Sequence, residues 1–186
     1  MSDVVVWLVR HGETVWNAQR KISGWVDVEL SERGQQMARD LRPRLHPEEF
    51  DGVWSSDLRR ALDTAQLAYG RPTQQDVRLR ELDFGPLEGE DWTQIPQHQQ
   101  REVLAFSEDC TFGGEKISVF EERVFAFLDE LPPGRHLLFV HAGVIRLALR
   151  RAQADKFVPP TTVAIVNWTR KHLLEMHLGP ELESHK

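Results

Sequence analysis

Apolar positions along the chain follow two alternating patterns. The run Val4-Val5-Val6-Trp7-Leu8-Val9 is short, continuous and β-branched, which is how a strand buried on both faces of a parallel sheet reads. It runs straight into Arg10-His11-Gly12-Glu13-Thr14. From Ser31 to about Leu45, Ala38, Leu41 and Leu45 recur at helical spacing with Met37 beside them. Ser31 is placed to cap that helix and Pro43 interrupts its last turn. Gly52-Val53-Trp54-Ser55 predicts a second strand, and Asp57 to Ala68 a second helix with Leu58, Ala61, Leu62 and Ala65 on one face.

The pattern weakens between Tyr69 and Ile117, where Pro86, Pro96 and the polar run Gln97-His98-Gln99-Gln100 predict loops with one irregular helix around Gln99 to Phe106. Such a segment suits covering a site better than forming a core. Order returns in a helix from about Ser118 to Leu131, stopped by Pro132-Pro133-Gly134. A buried strand, Leu137-Leu138-Phe139-Val140, follows, then His141-Ala142-Gly143 and a helix to about Arg151. Two last strands, Thr162 to Trp168 and His172 to Leu178, flank a turn at Thr169-Arg170-Lys171, and 179–186 reads as a flexible tail. Alternating strands and helices predict an α/β fold, a three-layer α/β/α sandwich around a mainly parallel central sheet. In such sheets ligands bind beyond the carboxyl ends of the strands. His11 and His141 each stand at such an end, so they are candidates for one shared site.

Composition narrows the classes. The 186 residues, 40% hydrophobic and 28% charged, fit one domain over 1–178, with 90–116 as a substrate-covering segment. No internal repeat or linker is visible. A net charge of −6 lacks the field that non-specific nucleic-acid binding uses. A single cysteine, Cys110, excludes an internal disulfide framework and suggests a reducing compartment. The first residues show no basic leader, and their apolar run is far short of the roughly 18 residues a membrane span needs. The expectation is a soluble cytoplasmic protein. Only five of the 23 basic residues are lysine, which leaves 18 arginines, the side chain best shaped to grip phosphate in a bidentate fork.

Arg10-His11-Gly12 alone is a weak signal, but it has company: Trp16-Asn17, Gly24-Trp25 through Leu30-Ser31 to Gly34, Ser55-Ser56 through Arg60-Ala61 to Thr64-Ala65, and Glu81 with Phe84-Gly85 and Glu88-Gly89. Gly113-Gly114-Glu115 and His141-Ala142-Gly143-Val144-Ile145-Arg146 complete the set. In these blocks, and in their order from Val6 to about Arg150, the chain resembles the histidine phosphatase superfamily, which holds cofactor-dependent phosphoglycerate mutases and many small phosphomonoesterases.

The resemblance implies a phosphoglycerate mutase-like fold and a set of roles. His11 would be the nucleophile that forms a phosphohistidine, and it must be neutral to attack; nearby arginines favour that state by repelling the imidazolium. Arg10 and Arg60 would fork onto the phosphoryl oxygens, with Asn17 and His141 adding donors. Ser23, Gly24 and Ala142 join the expected phosphate- or substrate-binding set. Glu81 would be the proton donor, its motif position favouring it over Asp83, Glu88 and Glu90. Arg59 is read as a surface residue, since the family's arginine directly precedes the alanine, here Ala61.

No cofactor is expected, and His46, His98, His136, His172, His177 and His185 show no metal-ligand spacing. Trp7, Trp25, Trp54 and Trp168 read as packing residues and Cys110 as an incidental free thiol. The expected partner is a small phosphorylated metabolite, with neither nucleic acid nor membrane; a homodimer is compatible with the sequence. Only about two dozen residues separate Glu88-Gly89 from Gly113-Gly114, without the longer proline-rich insertion of the mutases, and that favours hydrolysis. Ser23 before Gly24 looks more like the mutase version, in which this region meets a substrate carboxylate, and a phosphorylated small acid would suit it. Lys116 stands where the family usually has serine. The reading is a metal-independent phosphomonoesterase; the alternatives are a phosphoglycerate mutase and a catalytically idle phosphate-ligand binding module.

Overall fold

The computed structural model describes residues 3–70 and 74–180. Strand β1 (Val4–Arg10) leads into a short helix, α1 (Val15–Ala18), followed by α2 (Glu32–Arg39) and α3 (Arg42–Leu45). Strand β2 (Gly52–Ser55), helix α4 (Arg59–Ala68) and a two-residue strand β3 (Gln74–Gln75) complete the first half. After three single 3-10 turns come α5 (Gln97–Ala105), α6 (Ile117–Asp129), β4 (Gly134–Val140), α7 (Ala142–Arg151), β5 (Val163–Asn167) and β6 (His172–His177).

The six strands form one sheet in the order β3-β2-β4-β1-β5-β6. Strands β1, β2, β3 and β4 run parallel, whereas β5 and β6 are antiparallel additions at one edge. Alternate side chains of the central strands enter two different cores. Val6, Leu8, Leu138 and Val140 pack with Phe120 and Val124 of α6 and Val144 and Ala148 of α7. Trp7, Val9, Leu137 and Phe139 pack with Leu41, Leu45, Ala65 and Ala68 on the other face. Helices therefore cover both faces, which makes three layers and explains why β1 and β4 are apolar without alternation. Among the described residues, no helix is long and apolar enough to cross a membrane.

Several boundaries differ from those predicted. The expected helix from Ser31 to Leu45 is two helices. Ser31 does cap the first, its hydroxyl accepting from the Gly34 amide at 2.9 Å, but Pro43 sits in the first turn of α3 rather than disturbing a last turn. Proline is tolerated there because a first-turn amide has no intrahelical acceptor. Helix α4 begins at Arg59, not Asp57, because Asp57 is drawn into a carboxylate–guanidinium pair with Arg80. Strand β4 begins three residues before Leu137, its polar start Gly134-Arg135-His136 being zipped by β1 and β2. The covering segment has its helix at Gln97–Ala105.

Cys110 is fully buried within the larger core, and burial pushes its thiol up to about 11. The Gly179 amide donates to the Thr162 hydroxyl at 3.1 Å; of the predicted tail, residues 181–186 lie outside the described region.

Candidate active site

The carboxyl ends of β1 and β4 are neighbours in the sheet, and the residues that follow them, His11 and His141, come within 5.2 Å of each other ring to ring. The backbone that carries His11 is tied on several sides. Its amide donates to the Val140 carbonyl at 3.0 Å, and the Arg10 and His11 carbonyls both accept from Thr161, at 3.2 Å each. The Gly12 amide donates to the Thr64 hydroxyl at 3.0 Å. Gly12 also passes so close to the Gly34 carbonyl that any Cβ there would collide with it.

His11 is buried, and its Nδ1 lies 2.7 Å from the Gly12 carbonyl oxygen. A carbonyl can only accept, so Nδ1 carries the hydrogen and Nε2 keeps its lone pair. Burial, then Arg60 and Arg10, drive its pKa well below the ordinary histidine value. His141 is depressed for the same first reasons, burial and then Arg60. Both rings are therefore neutral at pH 7.

Two guanidiniums flank the pair. Arg60 is fully buried at the start of α4, its Nη2 donating to the Gly24 carbonyl at 2.6 Å and its Nη1 to the Val26 carbonyl at 3.0 Å. Arg10 donates from Nη1 to the Val158 carbonyl, and burial lowers its pKa to about 10. These anchors leave donors over. Six buried side-chain polar atoms among the described residues have no partner, and four of them are Arg10 Nε, Arg60 Nε and both ring nitrogens of His141. An unmade bond of this kind costs about 1–3 kcal/mol, and three of the four atoms are N–H donors, since a neutral His141 carries one hydrogen, so their concentration around His11 marks a place prepared for an anion.

Glu81 faces this cluster. Its Oε1 accepts from the Leu82 amide at 2.9 Å and its Oε2 from the Gly143 amide in the first turn of α7, at 3.1 Å. Gly143 permits that approach, since a Cβ would strike the carboxylate. Of the four carboxylates weighed for this position, Glu81 is the one in the cavity wall. Glu88 is instead held by the Trp25 and Val26 amides, both at 2.7 Å, and Asp83 caps the Gly85 amide at 2.8 Å.

The cavity has a volume of about 440 Å³, and Arg10, His11, Asn17, Ser23, Glu81 and Ala142 all line it. Arg60 and His141 are fully buried beside it, His141 ring to ring with His11, and Gly24 reaches the site through its carbonyl on Arg60. Asn17 has its Oδ1 committed to the Thr14 amide at 3.1 Å, so its side-chain NH₂ is the group with donors to offer. Arg59 is exposed and pairs with Glu29 and Asp63. Among the described residues no three His, Cys, Asp or Glu side chains are placed to share a metal ion.

Two residues carry structural duties that sequence reasoning did not assign. Arg123 of α6 donates from Nη1 to the Arg78 and Arg80 carbonyls and from Nη2 to the Glu81 carbonyl, all at 2.8 Å. It also pairs with both oxygens of Glu115, at 2.7 and 2.8 Å. Trp25, expected as packing, is 39% exposed and donates from Nε1 to the same Glu81 carbonyl at 2.8 Å, its ring lying against Arg80 and Arg123. The arginine surplus was the one available signal for Arg123, and it did not say which arginine. Lys116 holds the N-cap position of α6 without a side-chain cap; Glu108 substitutes by accepting from the Ser118 amide at 3.1 Å.

Residues 6–179 match the sequence model of the histidine phosphatase superfamily (branch 1). The chain is 36% identical over 166 residues to phosphoglycerate mutase-like protein 4 of Arabidopsis thaliana, covering 82% of this chain and 71% of that one. It is 37% identical over 149 residues to a probable phosphoglycerate mutase, GpmB, of Salmonella choleraesuis, covering 75% and 69%. In three dimensions it superposes on the crystal structure of a phosphoglycerate mutase from Thermus thermophilus with a TM-score of 0.85 at 40% identity, covering 95% of this chain and 99% of that one.

Proposed function

The chain belongs to branch 1 of the histidine phosphatase superfamily, and on that premise we propose that it is a phosphomonoesterase that works without a metal and releases phosphate from a small phosphorylated metabolite. The observation that carries this reading is a neutral His11 with its Nε2 lone pair available, set among buried donors that lack partners.

In the proposed reaction, Nε2 of His11 attacks phosphorus while the P–O bond to the alcohol breaks. Glu81, protonated, delivers its proton to the departing oxygen. Arg10, Arg60, His141 and Asn17 direct N–H groups at the equatorial oxygens, where charge spreads in the transition state. Glu81, now a carboxylate, takes a proton from water as that water attacks the phosphohistidine. The P–N bond breaks, phosphate leaves, and His11 returns to its neutral form. The two anchored guanidiniums supply the positive charge, and because backbone carbonyls already hold them, little reorganisation is needed at the moment of reaction.

A second reading, phosphoglycerate mutase, is favoured by the names of the relatives and by Ser23 in the cavity wall. The two share the phosphohistidine and differ in the acceptor: a mutase must keep water out. Here Leu104 and Phe157, both in the cavity wall, are 59% and 67% exposed, so the mouth is wet, which favours hydrolysis. The test is purified protein in EDTA given p-nitrophenyl phosphate, and separately 3-phosphoglycerate with 2,3-bisphosphoglycerate. Phosphate release that is lost in His11→Ala supports the hydrolase; isomerisation faster than hydrolysis of either glycerate overturns it.

A further inference from the structure

Away from His11 the cavity changes character. Phe84 and Trp92 from one segment, Val103 and Phe106 from the end of α5, and Phe157 and Val158 from the stretch before β5 bring apolar surface to it from three separate parts of the chain. Arg146 also lines it, but its guanidinium is spent: it pairs with both oxygens of Asp155 at 3.0 Å, donates to the Leu104 carbonyl at 3.0 Å, and lies 4.3 Å from the centre of the Phe106 ring. It clasps the covering helix to α7 rather than offering donors to a ligand. Phe157 at 67% and Leu104 at 59% exposure leave large apolar side chains in water at the mouth. A volume of about 440 Å³ falls in the roughly 300–1,000 Å³ range of pockets that enclose drug-sized ligands. A three-carbon hydroxy acid would leave most of it to water.

We propose that the alcohol half of the substrate is a bulky apolar group, so that the enzyme's substrates are phosphate monoesters of hydrophobic alcohols. The inference rests on the hydrolase reading above. It follows from matching surfaces: an apolar leaving group would cover Phe157 and Leu104 and fill the space between α5 and the 157–158 stretch, whereas a sugar would strip water from its hydroxyls against that apolar stretch, although Asn17, Arg20, Lys21 and Ser23 bring polar groups to the same cavity. Lys21 also lines the cavity, so esters that carry a carboxylate form the necessary contrast.

The test uses the purified protein and a series of n-alkyl phosphates from ethyl to hexyl, whose leaving groups have nearly the same basicity, beside glucose 6-phosphate and 3-phosphoglycerate. Burying each methylene should raise kcat/KM by about two- to fourfold, or on the order of 15- to 250-fold across the series, with both polar esters below hexyl phosphate. Phe157→Ser, at an exposed position that the fold does not depend on, should reduce the hexyl-to-ethyl ratio. A flat or falling series, a polar ester above hexyl phosphate, or a ratio indifferent to Phe157→Ser overturns the substrate class while leaving the hydrolase intact. If no ester in the series and no p-nitrophenyl phosphate is hydrolysed, the hydrolase reading fails and takes this inference with it.

Discussion

Replacing Arg123 with methionine keeps most of the side chain's volume but removes every polar contact that α6 makes with the 78–81 backbone. Three carbonyls lose a donor, and the Glu115 carboxylate is left with only the Asp83 amide, at 3.3 Å. The side chains of the pair are only 16% and 9% exposed. Breaking a buried pair from one side costs about 3–5 kcal/mol, and partial exposure places this one near the lower end, about 3 kcal/mol. A domain with the usual ~5–15 kcal/mol stays folded. The catalytic effect should be selective, because the lost contacts set where Glu81 sits. A displacement of about 1 Å can cost on the order of 10²-fold, within the ~10²–10⁴-fold that general acid catalysis supplies.

Arg123→Met should therefore lower kcat/KM for ethyl phosphate, whose alkoxide must be protonated, by about 10²-fold. For p-nitrophenyl phosphate, whose phenolate departs without a proton, the loss should stay below about fivefold. In a double-mutant cycle with Glu81→Gln, the second substitution should add almost nothing on ethyl phosphate, a coupling of about 2.7 kcal/mol. Arg123→Lys, which keeps the charge but not the fork, should recover part of the stability and little of the selectivity. Equal losses on the two esters, or additivity with Glu81→Gln, would refute the claim that Arg123 acts by positioning Glu81.

Three further outcomes follow from the structure. Lys116→Ser would place a hydroxyl at an N-cap whose Ser118 amide Glu108 already serves, so urea melts should show added stability of less than about 1 kcal/mol. His11 and His141 are held neutral below the ordinary histidine range. As pH falls below about 6.5 the unfolded chain gains protons that the native state refuses, so stability present above 6.5 is lost on acidification. The loss appears between pH 7 and 5, and His141→Gln should reduce it in denaturant melts at the two pH values. Cys110, buried and with its thiol pushed up to about 11, should resist a thiol reagent at pH 8 in the native protein and react once urea unfolds it.

Much of the fold was legible because burial leaves a simple trace. The continuous β-branched run at Val4 to Val9 and the apolar run at Leu137 to Val140 could be read as two-sided burial before either partner was known. What escaped was set by partners distant in sequence. Gly134-Arg135-His136 has no strand pattern of its own and is strand because β1 and β2 lie on either side of it. Asp57 leaves its helix for Arg80, 23 residues away. Cys110 sits in a polar stretch yet faces the core, since a short irregular segment has no period from which to read its inner side. The site divides in the same way. His11 and His141 were visible as strand-end residues, and the motif order picked Arg10, Arg60 and Glu81. Trp25 and Arg123 converge on one backbone carbonyl of residue 81, and a carbonyl has no side-chain identity for a motif to record.

The central claim is that His11 becomes covalently phosphorylated. Rapid acid-free denaturation of the protein during turnover of p-nitrophenyl phosphate, followed by peptide mapping, should recover a phosphoryl group that is stable to base and labile to acid, on His11. The group should persist longer in Glu81→Gln, where water is not activated, and be missing in His11→Ala. Full turnover by His11→Ala, or a phosphoryl group found on His141 in the wild-type protein, would contradict the account.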